Sequence, residues 1–430
     1  MKRVLVITYY WPPSGGGGVQ RVAKFCKYLP HFGWEPVVLT VKKGNYISID
    51  RSFEKDVQHI QNVYKARSIE PHSILQGATV RGSNANLLSP KGTALRHFLE
   101  LVRLNLFVPD SRIGWYPYAV QMGNRVCKGN KLDLIFSTCP PYTAHLVAGN
   151  LKNKFRRPWV ADFRDPWLEY AGYQTAFRNL LTCRINKKLE NQVLKTADTV
   201  VTVGKGLQKL LESKEPNLRA QTITNGYDES EFVTDKSRPS NRFHVSYFGT
   251  LRDQQIPIVL FKALSAIVRA DDGFGGDLHI RFVGNISSKT LRMADRFFAR
   301  RHWSCKGYAG HDEVITTLQQ EQILVLLVNR IPYNRLIITG KIFEYLRTGN
   351  PVLGIGPEDG EAADILRETR SGKMFDYEKI QGITDFIWTH YTRWKQGRLK
   401  RPAMIFPKYE RSHHTALLAQ LFDQFTRKAS

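Results

Sequence analysis

A lysine and a glutamate stand three residues apart, Lys341 and Glu344, in a segment whose pattern predicts a short helix. Thr339 and Gly340 suit the start of that helix, and Gly349 suits its end. The N-terminus would offer unpaired backbone N–H groups, the positive end of the helix dipole and the Lys341 ammonium, which together favour a phosphate. Glu344, one turn further on, would be placed to accept both hydroxyls of a ribose. The alternative is an exposed ion pair between the two side chains.

A second candidate is a glycine-rich loop that follows the first apolar run of the chain. Its four consecutive glycines are Gly15, Gly16, Gly17 and Gly18. Glycine lets another group approach the backbone closely, and the order strand, glycine loop, helix directs backbone N–H groups at an anion. The spacing matches neither the dinucleotide fingerprint nor the phosphate loop. A tight strand-to-helix turn is therefore the alternative interpretation.

Charged residues directly follow an apolar run in the segment ADFRDPW: Asp162, Arg164 and Asp165. Burying three charges without partners is costly, so we expect them to pair or to meet a polar ligand. At the end of a strand they would point into a ligand site, and we predict them as catalytic residues. The alternative is a structural Arg–Asp bridge that shapes the loop.

Short apolar runs separate these segments and predict the strands that hold them in place. They span residues 4–8, 36–41, 132–137, 158–163, 199–203, 243–249, 278–284, 321–328 and 351–355. Such runs, without clean alternation, are typical of strands buried on both faces of a parallel sheet, with helices as crossovers. The sequence therefore predicts an α/β protein with doubly wound, Rossmann-like sheets.

The length of 430 residues predicts two domains, because a single core rarely exceeds roughly 250–300 residues. A polar stretch from Asp235 to Asn241 places the N-terminal domain at 1–235 and the C-terminal domain at 241–400. Residues 401–430 are expected to form a helix that packs back on the N-terminal domain. Since ligands of open α/β sheets bind beyond the carboxyl ends of the strands, we expect the two domains to face each other across a cleft that holds the site.

Two segments of the N-terminal half lack this strand pattern. The Gly, Ser, Asn and Pro content and the lack of periodicity of residues 76–95 predict a long loop. Residues 94–108 predict an apolar-rich helix, either packed on its own domain or touching lipid.

The net charge of +25 indicates an anionic partner: nucleic acid, an anionic membrane face or an anionic small substrate. Four basic clusters carry much of it: Lys152, Lys154, Arg156 and Arg157; Arg178, Arg184, Lys187 and Lys188; Lys289, Arg292, Arg296, Arg300 and Arg301; and Arg393, Lys395, Arg398, Lys400 and Arg401. No zinc-finger spacing or RNA-binding strand motif accompanies them, so we expect no nucleic acid. Scattered cysteines, no apolar stretch near about 18 residues and no signal-peptide pattern indicate a cytoplasmic protein.

Five motifs in register give the chain a family resemblance. PPSGGGGVQR follows the first strand, TNGYD (224–228) closes the first domain, and VSYFGTLR (245–252) opens the second. CKGYAGHDEV (305–314) and GKIFEYLRTGNPVL (340–353) follow. In this order they resemble GT-B glycosyltransferases, most of all the retaining glycosyltransferase family 4 and its group-1-type relatives. PDSRIGWYP, STCPPYTAH and WVADFRDPW resemble a subgroup that acts in bacterial surface-polysaccharide assembly.

The resemblance implies the GT-B fold and a site for a nucleotide-sugar donor, UDP- or GDP-linked. The donor-binding residues it implies, beside the glycine loop, are Gly249, Thr250, Arg252, Tyr308, Thr339, Gly340, Lys341 and Glu344. On the acceptor side it implies Arg112, Trp115 and His145, although His145 could equally cap or pack its helix. It also implies retention of configuration and a glycan or lipid-linked acceptor. No DxD-like pair is present, so we expect no metal and no cofactor.

The sequence departs from the family pattern at two places. Many members carry a histidine near the strand that here ends in WVADF, and a glutamate eight residues before the one matching Glu344, where this chain has Leu336. The donor sugar is therefore left open. The predicted function is sugar transfer, by an enzyme docked on the inner membrane face through the Lys152–Arg157 cluster. The alternatives are a GT-B nucleotide-sugar epimerase and a non-catalytic nucleic-acid-binding scaffold.

Overall fold

The computed structural model describes residues 1–44, 46, 48–69, 101, 104–169, 178–232, 240–399 and 405–426. The chain divides into two compact units. Unit 1 contains Met1–Thr224 and His414–Ser430, and unit 2 contains Asn225–His413. The first division thus falls at Thr224, before the Asp235 boundary expected from sequence. The predicted 76–95 loop, most of the predicted 94–108 helix and residues 233–239 lie outside the described residues.

Unit 1 is built on a seven-stranded parallel sheet in the order β3-β2-β1-β4-β5-β6-β7. Its strands are β1 (Lys2–Ile7), β2 (Trp34–Val41), β3 (Val63–Ala66), β4 (Leu134–Cys139), β5 (Trp159–Phe163), β6 (Thr199–Thr202) and β7 (Ala220–Thr222). The crossovers contain helices α1 (Gly17–Tyr28), α2 (Glu54–Val57), α3 (Tyr116–Gly129), α4 (Thr143–Phe155), α5 (Leu180–Thr196) and α6 (Lys205–Lys214).

The central strands of unit 1 are buried on both faces, which is why their sequences are continuously apolar. Helix α14 (Arg411–Thr426) adds to one face: Leu418 and Phe422 are buried with Val4 and Phe136, and the ring of Phe422 lies 5.2 Å from that of Trp34. Helix α14 therefore packs against the sheet that contains β1.

Unit 2 is built on a six-stranded parallel sheet in the order β10-β9-β8-β11-β12-β13. Its strands are β8 (Phe243–Phe248), β9 (Leu278–Val283), β10 (Trp303–Lys306), β11 (Ile323–Leu327), β12 (Val352–Ile355) and β13 (Gly372–Phe375). The helices are α7 (Ile258–Ala270), α8 (Asp272–Asp277), α9 (Ser288–Phe297), α10 (His311–Leu318), α11 (Lys341–Thr348), α12 (Glu361–Thr369) and α13 (Ile380–Lys395).

The two doubly wound parallel sheets predicted from the sequence are confirmed. In both sheets the order reverses beside the first strand, at β1/β4 in unit 1 and at β8/β11 in unit 2. In such sheets the crevice at this reversal, at the carboxyl ends of the strands, is where ligands bind. Within the described part of the chain, no helix is long and apolar enough to cross a membrane.

Candidate functional site

In unit 2, the side chain of Lys341 meets the loop that follows β8. Its ammonium donates to Tyr247 Oη at 3.1 Å and lies 4.6 Å from the centre of the Tyr247 ring, while Tyr247 Oη donates to the carbonyl of Thr250 at 3.0 Å. Gly249 has a φ of 118°, and a Cβ at this position would lie 2.4 Å from Lys341 Nζ. The positive φ favours glycine, and any larger residue would also displace the end of the lysine from its place over this loop.

The N-terminus of α11 lies at the same place. Gly340 is its N-cap, and no side chain caps the helix. The first backbone bonds are made by Ile342 N–H to the Thr339 carbonyl at 3.2 Å and by Phe343 N–H to the Gly340 carbonyl at 3.3 Å. The buried Thr339 Oγ1 has no hydrogen-bond partner among the described residues. A lysine, a helix N-terminus and an unsatisfied hydroxyl together suit a phosphate group.

Glu344 lies one turn into α11 and is 8% exposed. It faces His311, the first residue of α10: Glu344 Oε1 is 4.0 Å from His311 Nδ1, and Glu231 Oε2 is 3.0 Å from His311 Nε2. Because Lys341 is directed at Tyr247, the i,i+3 ion pair considered as an alternative is not what orients Glu344. The imidazole instead sits between two carboxylates.

The remaining donor-side residues predicted from sequence lie on the surface of unit 2. Thr250 and Arg252 are exposed in the loop after β8, and Tyr308 is 53% exposed after β10. Gly249 and Gly284 close the ends of β8 and β9 and run so close together that a Cβ on Gly284 would lie 2.3 Å from the Gly249 carbonyl oxygen. These exposed groups surround the carboxyl edge of the sheet, where ligands of such sheets bind.

The glycine loop of unit 1 begins α1 and serves two structural purposes. Gly16 is the N-cap, with a φ of 104°, and no side chain caps the helix. Gly18 leaves room for Arg164, since a Cβ there would lie 1.8 Å from Arg164 Nη1, whereas Gly17 faces open space. Gly15 N–H donates to the Ser48 carbonyl at 2.9 Å. The exposed Gly16–Gly17 segment is the part that could contact a ligand.

Arg164 is anchored rather than free. It donates to the carbonyls of Cys139 and Pro140, both at 2.7 Å, and so joins the ends of β4 and β5.

Asp162, predicted as a catalytic residue, is instead fully buried in an ion pair. Arg21 of α1 donates to its carboxylate at 2.9, 3.1 and 3.3 Å, and Thr138 Oγ1 donates at 2.7 Å. Arg21 is itself fully buried and also donates to the carbonyls of Ile223 and Thr224. A structural Arg–Asp bridge was the alternative from sequence, but its arginine is Arg21 and not Arg164.

Asp165 is the predicted catalytic residue whose carboxylate is positioned to contact a ligand. Its side chain is half-buried after β5, and burial raises the pKa of its carboxyl while Arg164 opposes that shift. Among the described residues it makes no hydrogen bond or ion pair. A partly desolvated carboxylate of this kind suits contact with a substrate hydroxyl.

The three predicted acceptor-side residues lie at different depths. Trp115 is fully buried, with its ring 5.5 Å from that of Tyr9, and the Arg112 guanidinium lies 5.2 Å from the centre of the same Tyr9 ring. His145 is fully buried as well: its Nδ1 pairs with Ser137 Oγ at 2.8 Å, and burial lowers its pKa to about 3. Trp115 and His145 are therefore buried, whereas Arg112 is partly exposed.

Sequence reasoning missed Arg21, Tyr247 and His311. Arg21 is a charged residue one turn before Phe25 on the face of α1 that Val22 and Phe25 bury, and a charge at such a position signals a buried partner. Tyr247 is indistinguishable from its apolar neighbours in β8. His311 follows the Gly310 that begins α10, yet nothing in the sequence relates it to Glu344.

Solved structures resemble the whole chain, whereas no protein-family model and no curated protein sequence matches it. Sucrose-phosphate synthase from Thermosynechococcus elongatus has a TM-score of 0.64 and 12% identity, with 100% of this chain and 99% of that one covered. The Anabaena protein HepE in complex with UDP has a TM-score of 0.60 and 15% identity, with coverages of 100% and 98%. The lipopolysaccharide outer core galactosyltransferase WaaB has a TM-score of 0.56 and 12% identity, with coverages of 99% and 100%. At these identities the likeness establishes the fold, and the resemblance to GT-B proteins seen in the sequence is confirmed at that level.

Proposed function

We propose that the protein is a glycosyltransferase that moves a sugar from a nucleoside diphosphate sugar to a glycan or lipid-linked acceptor. The observation that carries the proposal is the meeting of Lys341, Gly249 and the uncapped N-terminus of α11 at the carboxyl edge of the unit 2 sheet. The fold supports it, because HepE has been solved with UDP and with UDP-glucose. A UDP-sugar is therefore the donor class to test first.

The chemistry follows from where charge develops. As the bond between the sugar and the diphosphate breaks, negative charge grows on the diphosphate and the sugar becomes oxocarbenium-like. Fixed donors aimed at that charge lower the barrier without reorganising. Lys341 and the first N–H groups of α11 supply such donors, and the exposed Arg252 is within the same loop as Gly249. We assign this role without a metal ion, an assignment that activity in excess EDTA would test.

Glu344 is assigned to the ribose of the nucleotide. A carboxylate accepts hydrogen bonds from two neighbouring hydroxyls, and its near-complete burial strengthens them. His311 lies between Glu231 and Glu344, with its Nδ1 4.0 Å from the Glu344 carboxylate.

On unit 1, Asp165 is assigned to the acceptor hydroxyl, with Arg164 as the residue that shapes its loop. We expect Asp165→Asn to lower turnover at least ten-fold and to change donor affinity little. Retention of configuration is part of the proposal and rests on the family resemblance alone. Proton NMR of the newly formed anomeric centre tests it.

The epimerase alternative uses the same donor site without an acceptor, and a candidate UDP-N-acetylglucosamine 2-epimerase from Listeria monocytogenes has the same fold at a TM-score of 0.55. The nucleic-acid scaffold would need no such site. Purified protein incubated with UDP- and GDP-sugars separates the three: slow release of free sugar and nucleoside diphosphate supports a transferase, a changed sugar still linked to UDP supports an epimerase, and salt-dependent retention of nucleic acid without turnover supports the scaffold.

We further propose that the enzyme docks on an anionic membrane through unit 1. Leucines project into solvent at the start of α5 and beside it: Leu180 is 79% exposed, Leu181 is 65% and Leu106 is 72%. Asn105 Oδ1 accepts from the Asn179 N–H at 2.8 Å, so Leu106 lies next to the start of α5. Exposed cations follow on α5, namely Arg184, Lys187 and Lys188. Apolar side chains followed by cations on the same helix suit a negative lipid surface, at about 1 kcal/mol per cation.

The cluster first expected to dock holds one cation that is already engaged, since Lys152 pairs with Asp198 at 2.5 Å. Co-sedimentation with vesicles of neutral or anionic lipid compares the two surfaces. We expect salt-sensitive binding to anionic vesicles, lost in Leu180→Ser/Leu181→Ser and retained when Lys154, Arg156 and Arg157 are neutralised. Retention by the leucine variant would overturn this choice of surface.

A further inference from the structure

We infer that unit 1 contains a second anion site, at the carboxyl ends of β2 and β3, that binds a sugar ring carrying a phosphate or carboxylate. A cavity of about 250 Å³ lies there. Its lining comprises Trp11, Pro12, Pro13, Thr40, Val41, Lys42, Lys43, Gly44, Tyr46 and Lys65. The inference rests on the proposed function in one respect: the bound group would belong to the acceptor.

The charge of this cavity points to an anion. Lys42, Lys43 and Lys65 all line it, and none of the described lining residues is acidic. None of the three ammonium groups has an ion-pair partner among the described residues. The parallel pairing of Val38–Val41 with Val63–Ala66 brings these lysines together, since Lys65 pairs with Thr40 and Lys42 follows Val41. Like charges held on neighbouring strands repel each other, and a bound anion relieves that repulsion.

The other walls suit a sugar ring. Trp11, Tyr46 and the two prolines supply apolar surface, and Trp11 is 5% exposed, so its ring is fixed by its surroundings. A ring that is already immobile costs little entropy when a ligand lies against it. The cavity is smaller than the roughly 300–1,000 Å³ of pockets for drug-sized ligands, which matches a single monosaccharide.

The cavity is preformed because hydrogen bonds hold its two loops together. Gly15 N–H donates to the Ser48 carbonyl at 2.9 Å, Asp50 N–H donates to the Pro13 carbonyl at 2.8 Å, and Ser14 and Ile49 form an antiparallel bridge. The exposed glycines of the loop before α1 therefore adjoin the cavity through the same backbone segment. A ligand in the cavity would lie beside that loop.

The residues of this cavity belong to unit 1 and those of the proposed diphosphate site to unit 2, so each set can be varied alone. Equilibrium dialysis at about 0.15 M ionic strength, with UDP present to occupy unit 2, measures binding of radiolabelled glucose 6-phosphate. Glucuronate, glucose and inorganic phosphate serve as competitors. The variant Lys42→Gln/Lys43→Gln/Lys65→Gln removes the charge and keeps a polar side chain that is one atom shorter than lysine. The control Lys128→Gln/Lys205→Gln/Lys209→Gln removes the same net charge from exposed positions of unit 1.

We expect glucose 6-phosphate and glucuronate to bind at least ten-fold more tightly than glucose or phosphate. The cavity variant should lose at least ten-fold in affinity, and the control should lose less than two-fold. UDP binding should be equal in all three proteins. Equal affinity for glucose and glucose 6-phosphate, equal affinity for phosphate and glucose 6-phosphate, or equal losses in the two variants would each overturn the inference. Absence of UDP binding in the unaltered protein would refute the proposed function, whereas the binding of glucose 6-phosphate would still test the cavity of unit 1.

Discussion

Replacing Asp162 should lower the free energy of unfolding of the protein and should leave the activity of each folded molecule largely unchanged. The carboxylate and the Arg21 guanidinium are both fully buried and joined by hydrogen bonds of 2.9, 3.1 and 3.3 Å. In Asp162→Ala, the guanidinium keeps its charge in the interior without a counter-ion. Breaking a buried pair in this way costs about 3–5 kcal/mol, and Thr138 Oγ1 also loses its acceptor.

The measurement is urea unfolding followed by tryptophan fluorescence, together with the rate of UDP-sugar hydrolysis per folded molecule. A double-mutant cycle with Arg21→Met isolates the coupling between the two side chains. Because Met carries no charge, the double variant should be at least about 2 kcal/mol more stable than the sum of the single losses predicts. Asp165→Ala is the matched control, since Asp165 is only half-buried and should affect stability much less.

The reasoning would be refuted if the free energy of unfolding of Asp162→Ala were within about 1 kcal/mol of that of the unaltered protein while its rate of UDP-sugar hydrolysis fell by two orders of magnitude or more. That outcome would restore Asp162 to the catalytic role expected from the sequence.

Two further predictions concern unit 1. Gly18→Ala should displace Arg164 from the Cys139 and Pro140 carbonyls and lower the free energy of unfolding by about 1–3 kcal/mol. The control Gly17→Ala places its methyl group in open space and should be neutral or stabilising. Equal effects of the two variants in urea unfolding would contradict the close approach of Arg164 to Gly18. Burial lowers the pKa of His145 from 6.5 to about 3. Between these two pH values the imidazole is neutral in the folded protein and protonated in the unfolded chain, so the free energy of unfolding decreases as the pH falls from 6.5 towards 3. From about pH 7.5 to about pH 5 this loss should be about 2 kcal/mol, and His145→Asn should remove it, while replacement of the exposed His59 should not; an unchanged pH profile in His145→Asn would contradict the assignment.

The fold could be predicted from the sequence because the strands of parallel sheets have a distinctive residue pattern. Strands buried on both faces must be apolar along their length, and each predicted run coincides with a strand to within a few residues. The strands that were missed are β3, β7, β10 and β13, which are at most four residues long and lie at sheet edges. Edge strands carry exposed residues such as Lys65, so their pattern resembles that of loops.

The site was accessible where a helix N-terminus marked Lys341 and Glu344 and where backbone conformation dictates residue type. Gly249, directly after β8, and Gly16, the N-cap of α1, both have a positive φ that favours glycine, so both positions were visible as glycines at the boundaries of elements. The partner of Asp162 could not be predicted, since Arg21 is 141 residues away in the chain and meets it only through the order of the sheet. The same holds for His311 and Glu344.

The measurement that tests the central claim most directly is calorimetric binding of UDP-glucose and of UDP to the unaltered protein and to two variants of α11. If the lysine binds the diphosphate and Glu344 binds the ribose, Lys341→Ala and Glu344→Ala should each weaken UDP binding by about 1.5–3 kcal/mol, with urea unfolding unchanged. Lys373→Ala, an exposed lysine of β13, is the control and should bind normally. UDP binding that is absent from the unaltered protein, or equal in all four proteins, would contradict the account.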